Sequence, residues 1–176
     1  MKLNKIWSLL KQRRQVIIMQ GDDSQWIGDG AAAYSITNSL DLTEGIIQTL
    51  LDVSDKAWDN FNYEVKEPAF NTADIVGNEI ELKEMPIRVW FKETELTVLK
   101  GNGKAYFIQS KYTVPLRNTE YLSFTYRPDD KIVVARDGMF IAGVICPVVL
   151  EDTDFANTIE ELLRLVRSRP KAKHDD

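Results

Sequence analysis

The side chains best suited to chemistry are few in this sequence, and their spacing keeps most of them apart. The single cysteine, Cys146, closes the apolar run Gly143-Val144-Ile145-Cys146 and is followed at once by Pro147. A nucleophilic cysteine needs a histidine or another cation to hold its thiolate, and the only histidine, His174, lies in the charged tail. These residue types predict a buried structural thiol at the end of a closing scaffold strand. The paired carboxylates Asp22-Asp23 and Asp129-Asp130 could bind a cation or share a proton. Each pair sits in a polar stretch where aspartate usually caps backbone N–H groups, so both read as solvated turns. Residues 28–34, Gly-Asp-Gly-Ala-Ala-Ala-Tyr, fit the loose form of a dinucleotide fingerprint. A true one follows a strand and opens a helix, whereas Tyr34-Ser35-Ile36-Thr37 reads as extended. Gly101-Asn102-Gly103-Lys104 lacks the spacing of a phosphate loop. No set of groups converges on a reaction, a metal or a cofactor, and the expectation is a non-enzymatic protein.

Binding chemistry is easier to find. Lys2, Lys5, Lys11, Arg13 and Arg14 fall within the first 14 residues with no acid among them. Cations on one helix could neutralise phosphates without reading bases; the plain alternative is a solvated helix face. A second basic group, Arg164, Arg167, Arg169, Lys171 and Lys173, suits the C-terminus of a helix. Residues 41–59 are the opposite, with Asp41, Glu44, Asp52, Asp55 and Asp59 against Lys56 alone. The net charge of −5 argues against nucleic-acid binding through bulk charge and leaves local basic faces on an acidic body. Of the tryptophans, Trp7 and Trp90 read as core, while Trp58, in an acidic segment, is a position a partner could use.

These residues need elements to position them. Leu3, Ile6, Trp7 and Leu10 recur at helical spacing, which predicts an amphipathic helix over 3–13. A short strand over 15–20, a turn at 21–24 and a strand region over 25–36 broken at Gly-Asp-Gly follow. Asp41 or Thr43 caps a second helix over 42–53, and Ser54 caps a short one over 54–61. Residues 67–78 read as loop. Beyond 79 come short strands over 79–84, 87–93, 95–101 and 104–110, with a hairpin at Asn102-Gly103. A single helical turn at 110–116 precedes strands over 121–127 and 131–136 and from Met139 onward, and a last helix spans 154–169. The reading is a single α+β domain over 1–169, mainly antiparallel sheet with helices packed on one side, a helical and loop insertion over about 41–95, and a tail at 170–176. No apolar run approaches the ~20 residues of a membrane span, and no signal segment is evident. A cytoplasmic protein with no membrane contact is expected.

The two ends of the chain share an order: helix, strand, turn with paired aspartates, strand, Asp-Gly, strand, first over 3–36 and again over 110–146. This pattern resembles the DNA sliding clamps, in which such units form antiparallel sheets with helices on one side. Gly143–Leu150 is similar to the strand that closes bacterial clamp subunits, with Cys146-Pro147-Val148 in place of the short Met-Pro motif. The stretches Trp26–Tyr34 and Leu42–Val53 also resemble small proteins of Firmicute prophages and mobile elements. The resemblance implies an accessory protein of phage or mobile-element DNA metabolism. It would contact double-stranded DNA through helix 3–13, or replication and other phage proteins, as a homo-oligomer. The other class of function is a protein-interaction module, using a sheet edge or the acidic helices, with no DNA affinity.

Overall fold

The computed structural model describes residues 1–21, 24–36 and 42–150, together with 155, 157–159, 161 and 162. Asp22, Asp23, Asp41, the basic group at 164–173, His174 and most of the last expected helix lie outside the described residues.

α1 (Leu3–Arg13) buries Ile6 and Leu10 and stops at Arg14, whose left-handed backbone (φ 51°) returns its N–H to the Lys11 carbonyl. It leads directly into a meander of β1 (Gln15–Gln20), β2 (Gln25–Gly28) and β3 (Ala32–Ile36). The turn between β2 and β3 is too tight for a side chain at its start: a Cβ on Gly28 would lie 2.0 Å from the Ala32 carbonyl oxygen. This is why glycine stands there; the residues that follow form a strand and not the helix that a dinucleotide fingerprint opens.

α2 (Glu44–Leu51) and α3 (Asp55–Trp58) then cross over to β4 (Asn62–Lys66), which lies parallel to β1. After the loop comes β5 (Ile80–Phe91), hairpinned to β6 (Thr94–Gly101) and β7 (Lys104–Gln109). The Asn102-Gly103 turn holds both residues at positive φ, 47° and 79°, as a two-residue hairpin requires. A 3-10 helix (Ser110–Leu116) precedes a second meander, β8 (Leu122–Arg127), β9 (Ile132–Asp137) and β10 (Phe140–Ile145).

All ten strands form one sheet in the order β4-β1-β2-β3-β10-β9-β8-β5-β6-β7, antiparallel except at β1–β4. The two meanders meet antiparallel at β3–β10, with Ala32 opposite Ile145 and Tyr34 opposite Gly143. A helical element followed by three strands thus occurs twice, the two copies joined along their last strands. The α+β reading holds. The region 41–95 adds β4 and β5 outside the two meanders, on opposite sides.

The strands at the centre are buried on both faces. In β1, Val16 and Ile18 join the core beneath α1, α2 and the 3-10 helix, while Ile17 and Met19 join a second cluster on the reverse face. Val133 and Ala135 against Ile132 and Val134 repeat the alternation in β9. On the reverse face Phe70, from the 67–79 loop, meets Trp26 edge-on at 5.1 Å. A third cluster lies at the β5–β7 wing, where Met85, Val89, Leu96, Val98 and Phe107 pack with Phe155 and Ile159.

Charged groups tie down the loop. Arg127, 1% exposed, donates to Glu79 at 2.6 Å and to the carbonyls of Asn71 and Ala73. Arg136 forks onto both oxygens of Glu79 at 2.7 and 2.8 Å. The Asp129-Asp130 turn takes part as well, accepting hydrogen bonds from the Asn78 side chain and the Asn71 backbone N–H.

Three expectations change. β4 was not anticipated. The strands expected over 79–84 and 87–93 are one strand, because Met85-Pro86-Ile87 bulges out of the ladder between Glu84 and Arg88 and leaves proline no bond to break. Trp90 is not core: Val89 takes the buried face of β5, and strand alternation leaves Trp90 67% exposed. Trp7 does pack against the main core.

Candidate nucleic-acid interface

Lys2, Lys5, Lys11, Arg13 and Arg14 are all exposed, for α1 turns Ile6 and Leu10 inward and leaves its other faces to water. Their surroundings sort them. The Lys11 ammonium donates to the carbonyls of Leu51 and Asp52 at 2.9 and 3.1 Å, where α2 ends, and so serves as a helix cap. Arg13 pairs with Asp29 at 3.4 Å. Lys2, Lys5 and Arg14 make no ion pair among the described residues. Three of the five cations are therefore open to a ligand, one is shared, and one is occupied.

The neighbour of α1 is the 3-10 helix. The Lys2 N–H donates to the Pro115 carbonyl at 2.7 Å, placing the start of α1 at the end of the 3-10 helix. At the other end Lys111 lies over the ring of Tyr112, 4.9 Å from its centre, and the Tyr112 hydroxyl reaches the Asp29 carboxylate with which Arg13 pairs. Burial depresses the Lys111 ammonium pKa, the Arg13 charge depresses it further, and Asp29 pulls the other way. The two elements thus run antiparallel, with cations at both ends. Arg117, just past the 3-10 helix, forks onto Glu84 at 2.7 and 2.8 Å. Burial raises the Glu84 carboxyl, but bonds and charge from Arg117 and Arg88 bring it net below its ordinary value. Lys111 and Arg117 were missed from the sequence, because nothing local shows that residues about a hundred positions on will lie beside α1.

Asp29 holds this junction together. It is 4% exposed. One oxygen accepts the N–H groups of Ala31 and Ala32, and the other accepts the Tyr112 hydroxyl at 2.7 Å. Tyr34 in turn donates its hydroxyl to the Tyr112 carbonyl at 2.9 Å. Burial, reinforced by Asp29, pushes both phenols far above their usual range. They are donors within the seam between the two meanders and do not ionise in working conditions.

Cys146 is exposed, which corrects the expectation of a core thiol. β10 ends at the fully buried Ile145, and the next side chain leaves the sheet beside Gly30. It borders a hollow of about 240 Å³ with Ala31, Lys66 and Phe70. Partial enclosure of the sulfur and the nearby Asp29 charge push its pKa up, the opposite of what a nucleophile needs. Cys146→Ala should change unfolding free energy by less than about 0.5 kcal/mol in urea titrations and leave any binding intact; loss of binding in the folded variant would contradict this.

Among the described residues no group of three or more histidine, cysteine, aspartate or glutamate side chains is placed to hold a metal ion. None of their helices is long and apolar enough to cross a membrane. No protein-family model, curated protein or solved structure matches the chain.

Proposed function

We propose that the chain is a non-enzymatic accessory protein of DNA metabolism, of the kind phages and mobile elements carry, that touches the duplex backbone with its α1 and 3-10 helix face. The observation that carries this reading is the run of exposed cations along two adjoining antiparallel elements, with Lys2 and Lys5 towards one end and Arg13, Arg14 and Lys111 near Asp29 at the other. Like charges brought together raise the energy of the folded chain, and a phosphate between them relieves it. Asp29 is buried beneath these cations and Glu84 is held by arginines, so neither presents a free carboxylate to repel an anion. The paired helix-and-meander units support the clamp-like part of the proposal, in which helices face the DNA and copies associate.

The test is fluorescence anisotropy with a labelled duplex of unrelated sequence, from low to physiological salt. Binding should be roughly micromolar at low salt, and its logarithm should fall with log salt at a slope of about −0.9 per phosphate contacted. Lys5→Glu with Arg14→Glu should weaken it about tenfold or more and flatten the slope. No binding at low salt, or binding untouched by the reversals, would move the weight to a protein-interaction module without DNA affinity. Light scattering on the same samples reports whether copies associate.

A further inference from the structure

The sheet ends differently on its two sides. At the β7 end the outer edge is in use, for the Val148 N–H donates to the Phe107 carbonyl at 2.7 Å. At the β4 end nothing among the described residues bonds to the outer edge. Pairing with β1 fixes which groups face out there. The Asn62 N–H donates to the Arg14 carbonyl at 2.9 Å. Asn62, Glu64 and Lys66 therefore aim their backbone groups at β1, while Tyr63 and Val65 aim theirs away. Side chains follow the same alternation. Tyr63 and Val65 stand beside Val16 and Ile18 on the helix-covered face, and Val65 is 50% exposed. Trp58 stacks on Phe61 at 5.0 Å and meets Tyr63 at 5.9 Å, so an aromatic group runs up to this edge. Glu64 and Lys66 share the reverse face, both exposed and 3.2 Å apart.

An edge that carries both signs of charge can match itself. Two copies of β4 pair antiparallel about a two-fold axis through one residue, since outward groups must meet outward groups. Centring on Glu64 or Lys66 sets like charges opposite each other, which is unfavourable. Centring on Tyr63 runs the pairing into Phe61, where the chain turns back and its N–H bonds to the Trp58 carbonyl. Centring on Val65 lets the two Val65 residues exchange both backbone bonds and sets Glu64 opposite Lys66 twice. Pro68, which has no N–H, ends the ladder just beyond. We infer that β4 is a homodimer edge, paired with a second copy of this chain about Val65. The two-fold stands perpendicular to the sheet, so both copies turn α1 to the same side. The dimer needs no DNA. So short a strand buries little area, which places the dissociation constant at roughly tens of micromolar.

Sedimentation equilibrium without DNA, at concentrations either side of that value, tests this. The mass should rise from monomer to dimer and no further. Glu64→Lys should weaken the dimer about tenfold, because both cross-strand pairs become repulsive. Glu64→Lys with Lys66→Glu should restore it, because the exchanged charges match again. Val65→Pro removes an outward N–H, leaves the bonds to β1 in place, and should abolish the dimer. Glu64→Lys should keep the thermal midpoint at a dilution where the wild type is monomeric, since the pair it breaks is exposed. A monomer at every concentration would overturn the inference. So would assembly beyond the dimer, or a dimer that Glu64→Lys leaves intact or the charge exchange fails to restore.

Discussion

Glu79→Ala should destabilise the fold by about 3–5 kcal/mol, the scale for removing one partner of a buried ion pair. The single carboxylate faces two guanidiniums, Arg127 and Arg136, whose side chains are 1% and 11% exposed. Its loss leaves both without their counter-charge. Arg127 would keep only the carbonyls of Asn71 and Ala73, so the loop that covers the reverse face should loosen with it. Urea unfolding of the variant measures this, with Thr125→Val, which removes one hydroxyl hydrogen bond to the same carboxylate, as a control at about 1.5–2 kcal/mol. A loss below that of the control would mean that the network is dispensable. The same group sets a pH dependence. Burial raises the Glu79 pKa, but donors from Arg136, Thr125 and Arg127 and the Arg127 charge bring it net below its ordinary 4.5. A carboxylate with a lowered folded-state pKa contributes stability that is present above the unfolded value and lost as pH falls through the folded one. The wild type should therefore weaken progressively below pH 4.5, with Glu84 adding to the same arm, and Glu79→Gln should flatten it.

Asp29→Asn should move two properties in opposite directions. An amide keeps one acceptor where the carboxylate offers two, so the Tyr112 hydroxyl and the N–H groups of Ala31 and Ala32 can no longer all be satisfied. About 2 kcal/mol of stability should go, in the range for a buried donor left without a partner. The variant also removes the negative charge from beneath Arg13 and Lys111, leaving the basic face more positive. Duplex affinity at low salt should rise about threefold, on the order of one partial phosphate contact. Denaturation and anisotropy on one preparation give both values. A destabilised variant that binds no better would show that the Asp29 charge does not bear on the face above it.

Much of the frame was legible because local chemistry decides it. α1 follows from the spacing of Leu3, Ile6, Trp7 and Leu10, and the hairpin from Asn102-Gly103, where both residues accept positive φ. β4 was not, since Asn62–Lys66 has mostly exposed side chains and takes its strand form from pairing with β1. Trp90 and Cys146 were misplaced for a different reason. Residue type suggests burial for both, but pleat parity decides for one and the end of β10 for the other. In the candidate site, the five cations of α1 could be read directly. The distribution among them could not, because the partners that engage Lys11 and Arg13 come from α2 and from a turn that Tyr112 closes across the sheet.

The seam at β3–β10 bears on how the chain acquires its form. Ala32 finds its partner only at Ile145, so the first meander has no neighbour along β3 until nearly the whole described chain has been made. Until then the Ala32–Ile36 strand is an apolar edge with open backbone groups, a template for unintended pairing. Pairings this distant close late and slowly. A product truncated ahead of Phe140 would keep that edge permanently, and it should gather in the insoluble fraction while the full chain, once the seam has zipped, does not.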